Sequence, residues 1–167
     1  MNVEEAIKAR RSIRKYVHRS IPKEVLDQLL EAARLAPSSN NGQAWTMLVV
    51  QDEELKQRLA LVSGNQDFVA ECSAYIVGVA QRGVYYSTVD MAIALDHLSL
   101  RAVELGLGTC WIGDFEPEKV SRILGIPDER EVTICMTVGY PAESPRAHSR
   151  KQLSELFRGD GWEEDLK

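Results

Sequence analysis

The chain contains no apolar run close to the ~20 residues that a membrane-spanning helix requires, so no segment of it reads as a bilayer anchor. It is poor in cysteine. Cys72, Cys110 and Cys135 are odd in number, lack C-x-x-C spacing and sit in apolar surroundings. That argues against a disulfide framework and reads as buried, reduced thiols. His18, His97 and His148 are too scattered for a ligand set, and no metal site is expected. Excess positive charge is lacking too: the net charge of -5 argues against a general nucleic-acid binder, which needs a basic face. The opening M-N-V-E-E-A-I-K is acidic and amphipathic, without the basic-then-apolar order of a signal peptide. The expected compartment is the cytoplasm.

Recognisable catalytic constellations are also missing. The chain has no P-loop, no H-E-x-x-H, no G-x-S-x-G and no paired carboxylates. G-L-G at 106–108 lacks the third glycine of the dinucleotide fingerprint, and a helix precedes it where a strand is required. Its glycines are expected to end a helix and to let backbone approach something flat. An enzyme with no acid/base or nucleophile constellation is one whose cofactor carries the reaction.

What is present describes one globular unit, residues 1–167. The length of 167 residues suits a single core, and 44% apolar with 27% charged residues is ordinary for such a domain. Residues 2–10 read as a short helix with Val3, Ala6 and Ile7 on one face. A second helix begins near Ser20, a candidate cap, with Pro22 in its first turn and Pro37 at its end. A-W-T-M-L-V-V-Q and S-A-Y-I-V-G-V-A read as buried strands flanking a helix over 52–62. Residues 87–105 form a long helix with apolar residues on nearly every side, from Val89 to Leu105. Such a helix needs cover on most sides, more than one small domain supplies, which implies a partner subunit. T-C-W-I-G reads as a short strand, followed by a helix ending at Gly125 and the strand V-T-I-C-M-T-V-G-Y. Residues 141–167 are a polar tail with little core, disordered or docked on another subunit. Helices and strands alternate in a layered α/β or α+β fold.

Two segments bear on chemistry. In R-R-S-I-R, Arg10, Ser12 and Arg14 alternate and share one side of an extended chain. Two guanidinium forks and a hydroxyl suit a phosphate monoester; a solvated basic segment after a helix is the alternative. A second basic cluster, R-A-H-S-R-K at 146–151, can join the first. In P-S-S-N-N-G-Q, the residues Ser38, Ser39, Asn40, Asn41 and Gln43 offer the mixed donors and acceptors of a heteroaromatic ring's edge. A plain turn explains the same composition.

In order along the chain, R-R-S-I-R-K-Y, A-A-R-L-A-P-S-S-N-N-G-Q-A-W, G-L-G-T-C-W-I-G, L-G-I-P, V-G-Y-P and a late S-R resemble the nitroreductase (flavin reductase) family over residues 3 to 157. The resemblance implies an α+β fold, a mainly antiparallel central sheet flanked by helices, in an intertwined homodimer. It implies FMN at the dimer interface, with NADH or NADPH as electron donor and a small electrophile as acceptor. Position by position, Arg10, Ser12 and Arg14 would hold the phosphate and ribityl chain, Arg11 helping through its backbone, with Arg150 and His148 completing the site. Ser38, Ser39, Asn41 and Gln43 would line the flavin, the two serines from the partner subunit. Asn65 would read the pyrimidine edge, and the backbone of Gly113 and Asp114 would face flavin N5 and O4. No side chain is expected to be catalytic. Phe68, Tyr85 and Tyr86 are candidates for an aromatic substrate lid, with core packing as the competing explanation for each. A dedicated dehydrogenase or dehalogenase on the same fold, or a non-catalytic flavin-binding module, are the alternative readings.

Overall fold

The computed structural model describes residues 1–165; the last two positions of the expected 141–167 tail, 166 and 167, lie outside the described residues. Helix α1 (Val3–Ala9) opens on a capping box, in which Asn2 and Glu5 each accept the other's backbone amide at 2.9 Å. Two donors that a helix end leaves free are thereby satisfied. The first strand, β1 (Tyr16–Val17), is short, and α2 (Lys23–Arg34) follows it. Ser20 does not cap α2. Pro22 occupies the cap position and makes no side-chain bond there, because its ring fixes φ but offers no acceptor. The helix also ends at Arg34, ahead of Pro37.

The remaining elements are β2 (Trp45–Val50), α3 (Glu53–Val62), α4 (Asp67–Glu71), β3 (Ala74–Gln81), α5 (Ser87–Glu104), β4 (Gly108–Ile112), α6 (Pro117–Leu124), β5 (Arg130–Pro141) and α7 (Leu153–Leu156). The two-residue β1 and the helices α4 and α7 are not apparent from hydrophobic periodicity, which needs several turns or alternations to register. All strand pairings are antiparallel: β3 lies between β2 and β5, and β5 pairs on its other edge with β4 and, at its C-terminal end, with β1.

Side-chain alternation along β3 divides the core in two. Ala74 and Ile76 face a cluster with Leu29 and Ala33 of α2 and Met91, Leu95 and Leu98 of α5. Tyr75, Val77 and Val79 face the opposite cluster, formed with Leu59 of α3, Val69 of α4 and Val120 of α6. The chain is therefore a three-layer α/sheet/α sandwich. The register between β3 and β5 slips between Gly78 and Val79, so that Val79 opposes Val132 and Gly78 opposes Ile134. The extra residue, Thr133, is a bulge that reverses which side of β5 faces which layer. Val132 and Cys135 consequently share one cluster, whereas Met136 and Val138 belong to the other.

Helix α5 is covered on one face only within this chain. Met91, Ala94, Leu95, Leu98 and Ala102 are fully buried, while Ile93, Leu100 and Val103 are half-buried and Val89 is exposed. The expectation of cover on most sides is not met by the single chain. The helix ends as its glycine predicts. Gly106 takes a left-handed φ of 73°, Leu107 donates to the Ala102 carbonyl and Gly106 to that of Val103, the paired bonds of a Schellman stop. Beyond Pro141, Leu153, Leu156, Phe157 and Trp162 are exposed. Among the described residues, no helix is long and apolar enough to cross a membrane.

Two measurements test this packing. The buried Tyr16 hydroxyl donates to the Ile13 carbonyl at 2.8 Å and meets the Thr137 hydroxyl at 2.7 Å. Tyr16→Phe should lower the urea-unfolding free energy by about 1–3 kcal/mol, since it strands both partners in the core; an unchanged midpoint would remove this hydroxyl from the packing argument. Burial also pushes the Cys72 and Cys135 thiols up to about 12. A thiolate-reactive disulfide reagent applied near pH ~8 should leave both unlabelled in the folded protein and label them once it is unfolded, because the thiolate is the reactive form.

Candidate functional site

After α1 the chain runs extended against β4. Ser12 bridges Thr109 in parallel, and the Ile13 amide donates to the Thr109 carbonyl at 2.9 Å. Gly108 permits this approach, since a Cβ there would overlap the Ile13 side chain. The second glycine of G-L-G thus accommodates an isoleucine of the same chain rather than a flat ligand. Ile13 is buried, and Arg10, Ser12 and Arg14 turn to the other side, where they line one cleft of about 720 Å³. From the tail come Arg146, His148 and Arg150, so the two basic clusters separated by the whole domain do meet. The tail is held there by the Glu143 side chain, which accepts the Arg14 amide, and by the Ala142 amide, which donates to Lys15.

Within this cleft the cations are not equivalent. The Arg11 guanidinium is turned back onto the Lys8 and Arg10 carbonyls at 2.7 and 2.8 Å, where it caps the end of α1. Lys8 is paired with Glu4. Arg10, Arg14 and Arg150 have no acidic partner among the described residues, and Arg150 only leans on the His148 and Ser149 carbonyls at 3.3 Å. Cys110 lies beneath this group: burial raises its thiol pKa, against the opposing pull of Arg14, the Ser12 hydroxyl and Arg10. Asp96 and Leu100 of α5 also line the cleft. Sequence reading missed both, because neither a carboxylate nor a leucine is unusual on this helix.

A second group forms at the far end of β4, four residues on from Thr109 and hence about 13 Å along the strand. Gly64 and Asn65 make a turn with left-handed φ of 65° and 55°. The Gln66 side chain donates to Ser63 at 2.8 Å and reaches Asp114 at 3.5 Å, and the Glu116 amide donates to Val62. These links set Asn65 beside Gly113 and Asp114, both exposed. A Cβ on Gly113 would meet nothing within 4 Å, so the space beside its Cα is open.

The third group does not line the arginine cleft. Ser38, Ser39, Asn41 and Gln43 belong to a loop at the other end of α5, where Ser39 begins a 3₁₀ turn (Ser39–Asn41). The Gln43 amide donates to the Ser38 hydroxyl at 3.1 Å and its side chain to Asn41, while the Ser39 amide donates to Asp90 of α5 at 3.0 Å. Asn40, Asn41 and Gln43 all have positive φ, between 49° and 54°, although Gly42 among them does not. Left-handed backbone outside glycine costs on the order of 1 kcal/mol per residue and persists where surrounding contacts hold it. Of the aromatic candidates, Phe68 is half-buried against the core, which supports the packing explanation. Tyr85 and Tyr86 are exposed, an edge-to-face pair with centroids 4.8 Å apart, so core packing does not account for them.

The model of the family described as Nitroreductase family matches residues 7–66 and 61–140. A Methanothermobacter thermautotrophicus protein, named as a candidate NADH dehydrogenase/NAD(P)H nitroreductase, is 33% identical over 153 residues, spanning 87% of this chain and 80% of its own. The structure of NADPH:FMN oxidoreductase from Vibrio harveyi, complexed with NAD+, superposes with a TM-score of 0.92 at 26% identity, over 98% of this chain and 79% of that one. An FMN-dependent nitroreductase from Clostridium difficile R20291 superposes with a TM-score of 0.85 at 30% identity, over 94% and 98% of the two chains. By motif order, by fold and by these likenesses, the chain belongs to the nitroreductase family.

Proposed function

We propose that this chain, an FMN-dependent NAD(P)H oxidoreductase of the nitroreductase family, reduces small electrophiles such as nitroaromatics, quinones, enones or free flavins. The observation that carries the reading is the cleft where Arg10, Ser12 and Arg14 meet Arg150, guanidinium groups without acidic partners among the described residues. Such a set fits a phosphate monoester, because each fork offers two parallel donors to its oxygens. Bound there, FMN would supply the hydride-transfer chemistry between NAD(P)H and the acceptor, in ping-pong order.

The chain's own residues bind and orient. Arg10, Ser12, Arg14, His148 and Arg150 anchor the anionic end. About 13 Å along β4, the exposed Gly113 and Asp114 would offer backbone N–H groups to the reactive end of the ring, where such donors stabilise developing negative charge without side-chain chemistry. Asn65, beside them, offers an amide to the ring edge. The exposed Tyr85 and Tyr86 form the acceptor's aromatic wall. No general acid is required, since an open site lets solvent deliver protons.

The site is completed in a homodimer. Ser38, Ser39, Asn41 and Gln43 stand away from the arginine cleft of their own chain, and reach a flavin if it is the partner's. The uncovered face of α5 supports the same reading, as do the exposed apolar side chains of α7 and Trp162. The part of the tail beyond Arg150, with α7, docks on the partner subunit.

Two experiments test the proposal. Purified protein supplied with FMN should be yellow, and its flavin absorbance should bleach anaerobically on addition of NADH or NADPH. A protein that takes up no FMN refutes the cofactor site, and one that holds flavin without bleaching is a binding module instead. Replacing Arg10 and Arg150 together by Ala should weaken FMN binding by several kcal/mol, given about 1.5–3 kcal/mol per charged hydrogen bond. Unchanged affinity in a fluorescence titration would move the phosphate elsewhere.

A further inference from the structure

We infer that Asp90 is a positioning residue, a buried carboxylate that holds the Ser38–Gln43 loop in its strained, ring-facing shape and ties it to the start of α5. The inference rests on the reading above that this loop lines the flavin. Asp90 is 5% exposed, in a setting where a carboxylate persists only with partners. Its Oδ1 accepts the Ser39 amide at 3.0 Å, and its own amide donates to the Tyr86 carbonyl at 2.8 Å. It occupies the first turn of α5, where the helix dipole favours negative charge. The side-chain bond thereby ties the loop to the first turn of α5, about fifty positions further along the chain, while the amide bond is the ordinary helical one that any residue there would make.

The loop needs such a clasp. Asn40, Asn41 and Gln43 are all left-handed, although glycine, the residue suited to that geometry, stands at Gly42 with a φ of -72°. Relaxation to ordinary φ would redirect the Asn41 and Gln43 side chains. The ties outside the loop's own side chains are few, and the Asp90 bond enters at Ser39, the first residue of the turn. Asp90 touches neither cofactor nor substrate in this account; it acts through Ser39.

The test compares full-length Asp90→Ala with Asp90→Asn, which keeps an oxygen acceptor. Two quantities are read: hydrogen exchange of the Ser39 amide in the protein before FMN is added, and FMN affinity by fluorescence titration. Asp90→Ala should speed Ser39 exchange and weaken FMN binding about tenfold, the loss of a hydrogen bond to a charged group, while Asp90→Asn keeps both near the wild-type values. If Asp90→Ala does not fold, Asp90→Glu carries the same test, because its extra methylene displaces the acceptor and should give the same two changes. Unchanged Ser39 exchange overturns the clasp itself. Faster exchange with unchanged FMN affinity overturns the positioning role by showing that the loop does not line the flavin. Equal FMN losses in the Ala and Asn variants overturn it as well, since the acceptor would then not be what matters.

Discussion

Between Gly108 and Ile13 there is no room for a Cβ, and the Ile13 amide donates to the Thr109 carbonyl at 2.9 Å. That contact fixes the extended segment Arg10–Arg14 against β4 and decides which side chains turn outward. With Ile13 inward, two guanidinium groups and the Ser12 hydroxyl open onto one cleft. The Tyr16 hydroxyl extends the hold by joining the Ile13 carbonyl to Thr137 of β5. A cation cluster on a loose segment would lose much of its binding to the entropy of ordering long side chains. Here the backbone beneath the charges is already ordered by the sheet.

Helix α5 connects two of the three groups of site residues. Its first turn carries Asp90, which grips the polar loop; further along, Asp96 and Leu100 form one wall of the arginine cleft. Its inner face is dry and packs on β3 and β5 through Met91, Leu95 and Leu98. The outer face retains Val89, Ile93, Leu100 and Val103 with nothing in the chain to cover them fully. An apolar face of that kind gains most from a second molecule, since burial is worth about 25 cal/mol per Å².

The chemistry suits a site built mainly for holding. The cleft is lined mainly by cations, and a bound redox cofactor removes the need for an acid/base pair. What the chain provides is positive charge at one end of β4, exposed residues at the other and a fixed distance between them along a single strand.

Much of this was determined by the sequence on its own. Periodicity marks α2, α3, α5, α6 and the three long strands, because each is long enough for its buried face to repeat. Motif order identifies the family, and Arg10, Ser12, Arg14, His148 and Arg150 are legible as one group, which the fold brings to one cleft, through their residue types and family positions. Tertiary structure alone decided the rest. The two-residue β1 exists only because β5 offers an edge, and Pro22 rather than Ser20 begins α2 because cap choice depends on where the chain enters. Gly108 faces Ile13, not a ligand, which no spacing rule could indicate. Arg11 is spent on helix carbonyls while its neighbours stay free, a distinction between identical side chains that only three-dimensional contacts make. The resemblance to the nitroreductase family names the chain's chemistry, and the sheet determines which of its charges are available to perform it.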